Sequence, residues 1–203
     1  MLEKQYEQIL AIATAGNQRG FTDSLHHNRY EPTPYELLDL LFQQHQLSAN
    51  AQLVDVGCGK GRLNFYIHHV FGIKSVGIEM NPVFYAEALE NKKRYGQKHQ
   101  DAETMITFYH GLAQEYQITS QDTVFYFFNP FSVQVFIAFI NQLLRSVEEA
   151  PRQLEVILFF ASQDYQEYLE TRTLFHLVKE VPLPDFDKDP RERFLIYQLP
   201  KLD

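Results

Sequence analysis

Leu53-Val54-Asp55-Val56-Gly57-Cys58-Gly59-Lys60-Gly61 joins an apolar run to alternating glycines. The first four residues, apolar apart from Asp55, suit a buried strand. Gly57, Gly59 and Gly61 then remove every second side chain, so the backbone can come up against a ligand. A helix that starts after such a loop turns its free N–H groups and positive dipole end toward the same place. The stretch predicts a polar or anionic ligand at a strand-to-helix turn.

Strands and helices alternate outward from it. Gln52–Gly57 reads as the first strand and Lys60–Val70 as a helix with Leu63, Ile67 and Val70 on one face. Lys74–Glu79 is the second strand, and Asn81-Pro82 caps a helix to about Tyr95 with Phe84, Tyr85, Ala88 and Leu89 inward. Met105–Tyr109 and Thr123–Phe128 are the third and fourth strands. Ser132 starts a helix whose apolar stripe is Val133, Phe136, Ile137, Ile140, Leu144 and Val147. Leu154–Phe160 is a fifth strand, apolar without alternation except at Glu155, as suits a strand covered on both faces. A helix from Ser162 to about Glu170 precedes two last strands, Leu174–Val181 and Phe194–Leu199, joined by a loop rich in proline and aspartate.

Upstream, Leu2, Tyr6, Ile9, Leu10 and Ala13 have helical spacing over residues 2–15, ended by Gly16 and Gly20. Thr33, Pro34 and Glu36 read as a capping box for a helix to about Leu47, with Leu37, Leu38, Leu41 and Phe42 on its buried face. Seven strands with helices between the first five or six predict an α/β fold, a Rossmann-like and mostly parallel sheet with helices on both faces. The missing helix before the last strand lets it return as a C-terminal antiparallel hairpin. Nothing in the 203 residues marks a linker or a repeat, so one domain is expected, with 1–32 as an N-terminal helix and lid segment and 33–203 as the core.

The totals narrow the class. A hydrophobic fraction of 45% and a charged fraction of 22% are ordinary for a globular protein. A formal charge of −8 argues against a nucleic-acid partner, which clustered Lys and Arg would serve. The single cysteine, Cys58, excludes an intrachain disulfide, and its place between two glycines makes it a small filler rather than a nucleophile. The first residues carry acids where a signal peptide needs basic ones, and the longest apolar run is too short to span a bilayer. A cytoplasmic protein without a membrane partner is expected. His26-His27 and His68-His69 lack the Cys or Asp company of a metal site, so no metal is assigned.

Three ligand classes compete for the glycine loop. A mononucleotide P-loop needs Lys and then Ser or Thr after its last glycine, and Arg62 follows Gly61 instead. A dinucleotide fingerprint needs its third glycine one residue later than Gly61 and does not call for Asp55. The whole set, an acid within the strand, G-x-G-x-G and a second acid, Glu79, 24 residues beyond Asp55, resembles the class I S-adenosylmethionine-dependent methyltransferases. That resemblance implies S-adenosyl-L-methionine as cofactor. Gly57, Cys58, Gly59 and Gly61 would pass its amino-acid part, with Asp55 ordering the loop. Glu79 would hold the ribose diol, with Met80 beside it. After the third strand such proteins often place an acid against adenine. Here His110, Gly111 and Leu112 occupy that stretch and are the candidate contacts.

Asn129-Pro130-Phe131, at the end of the fourth strand, resembles a shortened form of the acceptor motif of nitrogen methyltransferases. In them the Asn side chain accepts a hydrogen bond from the target amine and the ring packs over it, so Asn129, Pro130 and Phe131 are the implied catalytic set. Tyr30-Glu31-Pro32-Thr33-Pro34-Tyr35 is similar to a segment of Dot1-type lysine methyltransferases and their small prokaryotic relatives, which folds over the cofactor's methionine part. By that likeness Tyr30 and Thr33 would touch cofactor. The expected activity is methyl transfer to nitrogen of a small molecule or a protein lysine. A cofactor-binding protein without transferase activity is the alternative.

Overall fold

In a computed structural model, residues 2–16 and 31–201 are described. In chain order they form α1 (Leu2–Leu10), α2 (Tyr35–Gln44), β1 (Gln52–Val56), α3 (Arg62–Phe71), β2 (Lys74–Glu79) and α4 (Pro82–Gly96). There follow α5 (Ala102–Met105), β3 (Ile106–His110), a 3-10 turn (Ala113–Glu115), β4 (Val124–Phe128) and α6 (Val133–Glu149). β5 (Leu154–Phe159), α7 (Gln163–Arg172), β6 (His176–Pro182) and β7 (Arg193–Leu199) complete the chain.

The strands make one seven-stranded sheet in the order β3-β2-β1-β4-β5-β7-β6. β1 to β5 are mutually parallel, and β7 runs antiparallel to both β5 and β6. The expected Rossmann-like sheet with its terminal hairpin is therefore present. Strand order reverses between β1 and β4, and in open parallel sheets a ligand crevice lies at such a reversal, beyond the carboxyl ends of the strands. The loops after β1, β2, β3 and β4 all open there.

Successive strand residues serve opposite faces, which is why the strand sequences are apolar without alternation. Leu53, Tyr126, Ile157 and Ile196 pack with Leu38, Leu41, Phe65, Tyr66 and Ile67 of α2 and α3. Val54, Phe125, Phe127, Val156 and Leu158 pack with Phe136, Phe139, Ile140 and Leu143 of α6 and with Tyr165 and Leu169 of α7. Fully burying one such side chain contributes about 1.5–3 kcal/mol.

Several local expectations are corrected. α1 ends at Leu10, where Ala11 turns left-handed at φ 54°; Ile9 is exposed, and Leu10 and Ile12 carry the burial. Thr33 does not cap α2. Pro34 occupies that position, its carbonyl accepts from Leu37 and Leu38, and the Thr33 hydroxyl is bonded to Tyr126 instead. α2 also stops at Gln44 rather than near Leu47. In α6 the buried stripe is Phe136, Phe139, Ile140, Leu143 and Val147, so Ile137 and Leu144 fall to its flank. Val70 and Leu89, expected inward, are exposed at helix surfaces. Asn81 does cap α4, accepting from the N–H groups of Val83 and Phe84, with Pro82 in the first turn.

Candidate cofactor and acceptor site

The glycine loop leaves β1 and is held by β2. The N–H groups of Gly57 and Cys58 both donate to the Ile78 carbonyl at 3.0 Å, and Gly61 donates to the Cys58 carbonyl at 2.9 Å. Gly57, Gly59 and Gly61 all have positive φ (86°, 54° and 83°), a region that favours residues without Cβ. The glycines differ in what they face. A Cβ on Gly61 would lie 2.6 Å from the Phe108 ring of β3, so that glycine serves packing. A Cβ on Gly57 would lie 2.8 Å from Cβ of Pro130, so that glycine admits the loop after β4. Gly77, to which the sequence reading gave no site role, is as crowded: its Cβ would meet Cys58 Sγ and Phe108, each at 2.6 Å. Cys58 is buried as the expected filler, and burial with the nearby acids Asp55 and Glu79 pushes its thiol up.

Two buried carboxyls frame the loop. Glu79, ending β2, accepts from Gly59 N–H through Oε2 at 2.8 Å and from Asn81 N–H through Oε1 at 2.6 Å. Burial pushes its carboxyl up, against the pull of the Asn81, Gly59 and Met80 N–H groups. Ordering of the loop, expected of Asp55, is thus done by Glu79. Among the described residues none donates a hydrogen bond to the Asp55 carboxyl, which is 6% exposed. Burial and then the Glu79 charge push it up to about 8. An orphaned buried acid beside left-handed glycines, with a second acid at the next strand end, fits a ligand that brings an amino group and a diol. S-adenosylmethionine carries both, and when bound it would supply an electrophilic methyl on sulfur.

β2 and β3 pair Glu79 with His110, so the candidates for adenine and for ribose contact stand side by side. The His110 ring stacks on Tyr85 of α4 at 4.8 Å between centroids, and its Nε2 lies 3.2 Å from the Met80 carbonyl. Gly111 donates to the Glu79 carbonyl at 3.1 Å, and Leu112 caps the following 3-10 turn.

Asn129-Pro130-Phe131 leaves β4 through a left-handed Asn129, φ 38°. Asn tolerates that conformation better than most residues with a Cβ. Pro130 sits against Gly57, and Phe131 is buried among Phe127 and the α6–α7 core. The Phe131 carbonyl accepts from Tyr165 Oη at 2.5 Å, and the Tyr165 ring stacks on Phe136 at 3.8 Å. Tyr165 was not legible as a site residue. Neither was Tyr126, which ties Thr33 to the centre of the sheet through a 2.8 Å bond between hydroxyls. Phe160, one residue past β5, is also left-handed at φ 52° and carries the Arg191 guanidinium 4.3 Å from its ring centroid. The β6–β7 turn therefore reaches the same end of the sheet.

Tyr30 and the pair His26-His27 lie outside the described residues. His68 is buried with Nδ1 2.7 Å from Tyr95 Oη, far along α3 from the glycines. Among the described residues no group of three or more His, Cys, Asp or Glu is placed to hold a metal, and no helix is long and apolar enough to cross a membrane.

Comparison with known proteins agrees with this geometry. Residues 33–125 match a family model described as a methyltransferase domain. None of the curated protein sequences matches. Among solved structures, the fold is similar to an RNA methyltransferase from Salinibacter ruber in complex with S-adenosyl-L-homocysteine, at TM-score 0.54 and 20% identity over 85% of this chain and 96% of that one. It is similar to a human methyltransferase 10 domain containing protein at TM-score 0.60 and 9% identity, over 98% and 93% of the two chains. A SAM-dependent methyltransferase from Thiobacillus denitrificans, again with S-adenosyl-L-homocysteine, gives TM-score 0.54 and 14% identity over 84% and 92%. The sheet and the glycine loop give this chain a Rossmann-like α/β fold similar to that of S-adenosylmethionine-dependent methyltransferases, and its residues 33–125 match a methyltransferase domain.

Proposed function

We propose that the chain methylates a nitrogen, on a small amine or a protein lysine side chain. The observation that carries this reading is the contact between the two motifs: Pro130 of Asn129-Pro130-Phe131 packs directly against Gly57. An amine accepting position at Asn129 is then adjacent to the loop that passes the cofactor's amino-acid part. Asp55 and Glu79 hold the cofactor's amino group and ribose. Asn129 accepts a hydrogen bond from the incoming amine, and Tyr165 keeps Phe131 in place behind it. Little acid–base help is needed once the amine arrives unprotonated, so alignment and exclusion of water supply most of the rate.

Acceptor charge has its own support. Burial, then the charges of Asp185, Asp189 and Glu31, push the Glu192 carboxyl up against the pull of Arg191, so acids of the β6–β7 turn and of the segment before α2 lie near one another. The basic residues of that turn are already engaged, Lys188 with Asp185 and Arg191 with Asp189. Such a rim favours a cationic acceptor over a phosphate backbone.

Transfer of a labelled methyl group from S-adenosylmethionine tests the reading on three acceptor pools: small amines, protein extract and total RNA. Label in an amine or lysine product, lost at least 100-fold in Asn129→Gly, is the expected result; glycine accepts the same φ and removes only the side chain. Label in RNA alone would overturn the assignment of acceptor. Cofactor binding with no transfer to any pool would favour a non-catalytic binding protein.

A further inference from the structure

Arg62 opens α3 immediately after the last glycine of the loop, and only 4% of it is exposed. A cation at a helix N-terminus opposes the dipole, and a buried charge is costly unless paired. Its partners come from three separate segments. The guanidinium meets Glu3 of α1 at 2.7 Å and Glu7 at 3.5 Å, donates to Thr14 Oγ1 at 2.7 Å and to the Thr33 carbonyl at 3.2 Å, and lies 4.4 Å over the Tyr35 ring.

On the other side of the loop stands Asn91 of α4, fully buried. Its Oδ1 accepts from Ala13 N–H at 2.9 Å, and its Nδ2 donates to the Ala13 carbonyl at 3.3 Å and to the Lys60 carbonyl at 3.1 Å. Arg94 also donates to that Oδ1, at 2.5 Å. The amide thus pairs with a backbone as a strand would, and holds the glycine loop with the same group. The left-handed Ala11 delivers residues 12–14 to this place as α1 ends.

We infer that Arg62 and Asn91 are positioning residues which fasten Ala13 and Thr14 as a strap along the glycine loop, and that this strap sets the loop for cofactor. The two anchors flank Gly61: Lys60 is held through Asn91 on one side, and Arg62 grips Thr14 on the other. Gly59 and Gly61 sit in conformations that a free loop would share with many others, so fixing both flanks lowers the entropy lost when ligand binds. The inference rests on the glycine loop being the cofactor site.

Titration calorimetry with S-adenosylhomocysteine, paired with thermal melts, tests it. Asn91→Leu and Arg62→Met are expected to weaken binding at least tenfold. Tyr6→Phe removes only the 2.8 Å bond from α1 to Asp39 on α2 and should melt earlier with wild-type affinity. Where the two severe variants do not fold, Asn91→Asp, which loses the donors to Ala13 and Lys60, and Arg62→Lys should fold and bind about three- to tenfold more weakly. Amide exchange at Gly59 and Gly61 should quicken in the same variants. Wild-type affinity in every folded strap variant would overturn the inference while leaving the cofactor site intact. No heat with wild-type protein would instead remove the cofactor reading beneath it.

Discussion

Oε2 of Glu79 accepts the Gly59 N–H at 2.8 Å, which fastens the middle of the glycine loop to the end of the neighbouring strand. The other oxygen accepts from Asn81 at the start of α4, so one carboxylate joins β2, the loop and a helix cap. Hydrogen bonds to a charged group contribute roughly 1.5–3 kcal/mol each. Glu79→Ala removes both of these and the proposed ribose contacts. Calorimetry should show S-adenosylhomocysteine bound at least tenfold more weakly, with a lowered melting temperature. Glu79→Gln keeps one acceptor oxygen and should fall between. Unchanged affinity in the alanine variant would remove Glu79 from the cofactor site.

The Asp55 carboxyl titrates near 8 in the folded chain against 3.8 ordinarily, so the folded state holds a proton that the unfolded chain has given up. Between about pH 4 and pH 8 the unfolded state binds fewer protons. Stability from this group therefore falls as pH rises through that window, by at most about 1.4 kcal/mol per pH unit. Denaturant melts across the window should show the slope in wild type and a flatter profile in Asp55→Asn. A ligand ammonium would favour the ionised form, so S-adenosylhomocysteine binding at pH 7 should release close to one proton. Binding heats that differ between phosphate and Tris would register it; equal heats would argue against contact with Asp55.

Gly57 and Gly61 look equivalent in the sequence and face different neighbours. Alanine at Gly61 meets the Phe108 ring at 2.6 Å, and at Gly57 it meets Pro130 at 2.8 Å, each at a φ above 80°. Both should destabilise, because a left-handed alanine is strained whatever the space. Their activities should part. Gly57→Ala pushes the acceptor motif and should lower kcat more than cofactor affinity, whereas Gly61→Ala disturbs the sheet-to-helix packing and should weaken the cofactor first. Kinetics at saturating cofactor, set beside calorimetry, separates the two.

The fold was legible because glycine spacing and unbroken apolar strands are local signals of a parallel sheet. Glu79 stood out only through its place at the end of the second strand, 24 residues beyond Asp55, in the pattern that the glycine loop resembles. Residues whose work depends on a distant partner were not legible. Thr33 has the look of a helix cap, yet its hydroxyl meets Tyr126, 93 positions away. Asn91 sits mid-helix as an ordinary polar residue, and only the folded chain brings Ala13 and Lys60 to it. One signal was available for Arg62: a cation in the first turn of α3 opposes the helix dipole and so implies partners elsewhere. The apolar stripe of α6 was misplaced by part of a turn because Phe139 and Leu143 compete with Ile137 and Leu144 for the same periodicity.

Tyr165 of α7 donates to the Phe131 carbonyl at 2.5 Å across the second layer of the core. Both groups are buried, so the carbonyl has no water to turn to when the hydroxyl is removed. Tyr165→Phe keeps the ring stacked on Phe136 and deletes only that donor. An unpaired buried carbonyl costs about 1–3 kcal/mol, and each kcal/mol lowers Tm by about 2–4 °C in a domain of this size. The carbonyl belongs to the third residue of the acceptor motif, so its release should loosen Asn129 against the glycine loop. A fall in kcat with S-adenosylhomocysteine affinity unchanged is expected. A lower Tm with wild-type kcat would mean that the Pro130–Gly57 contact alone holds the motif, and that Tyr165 serves only the packing of α7.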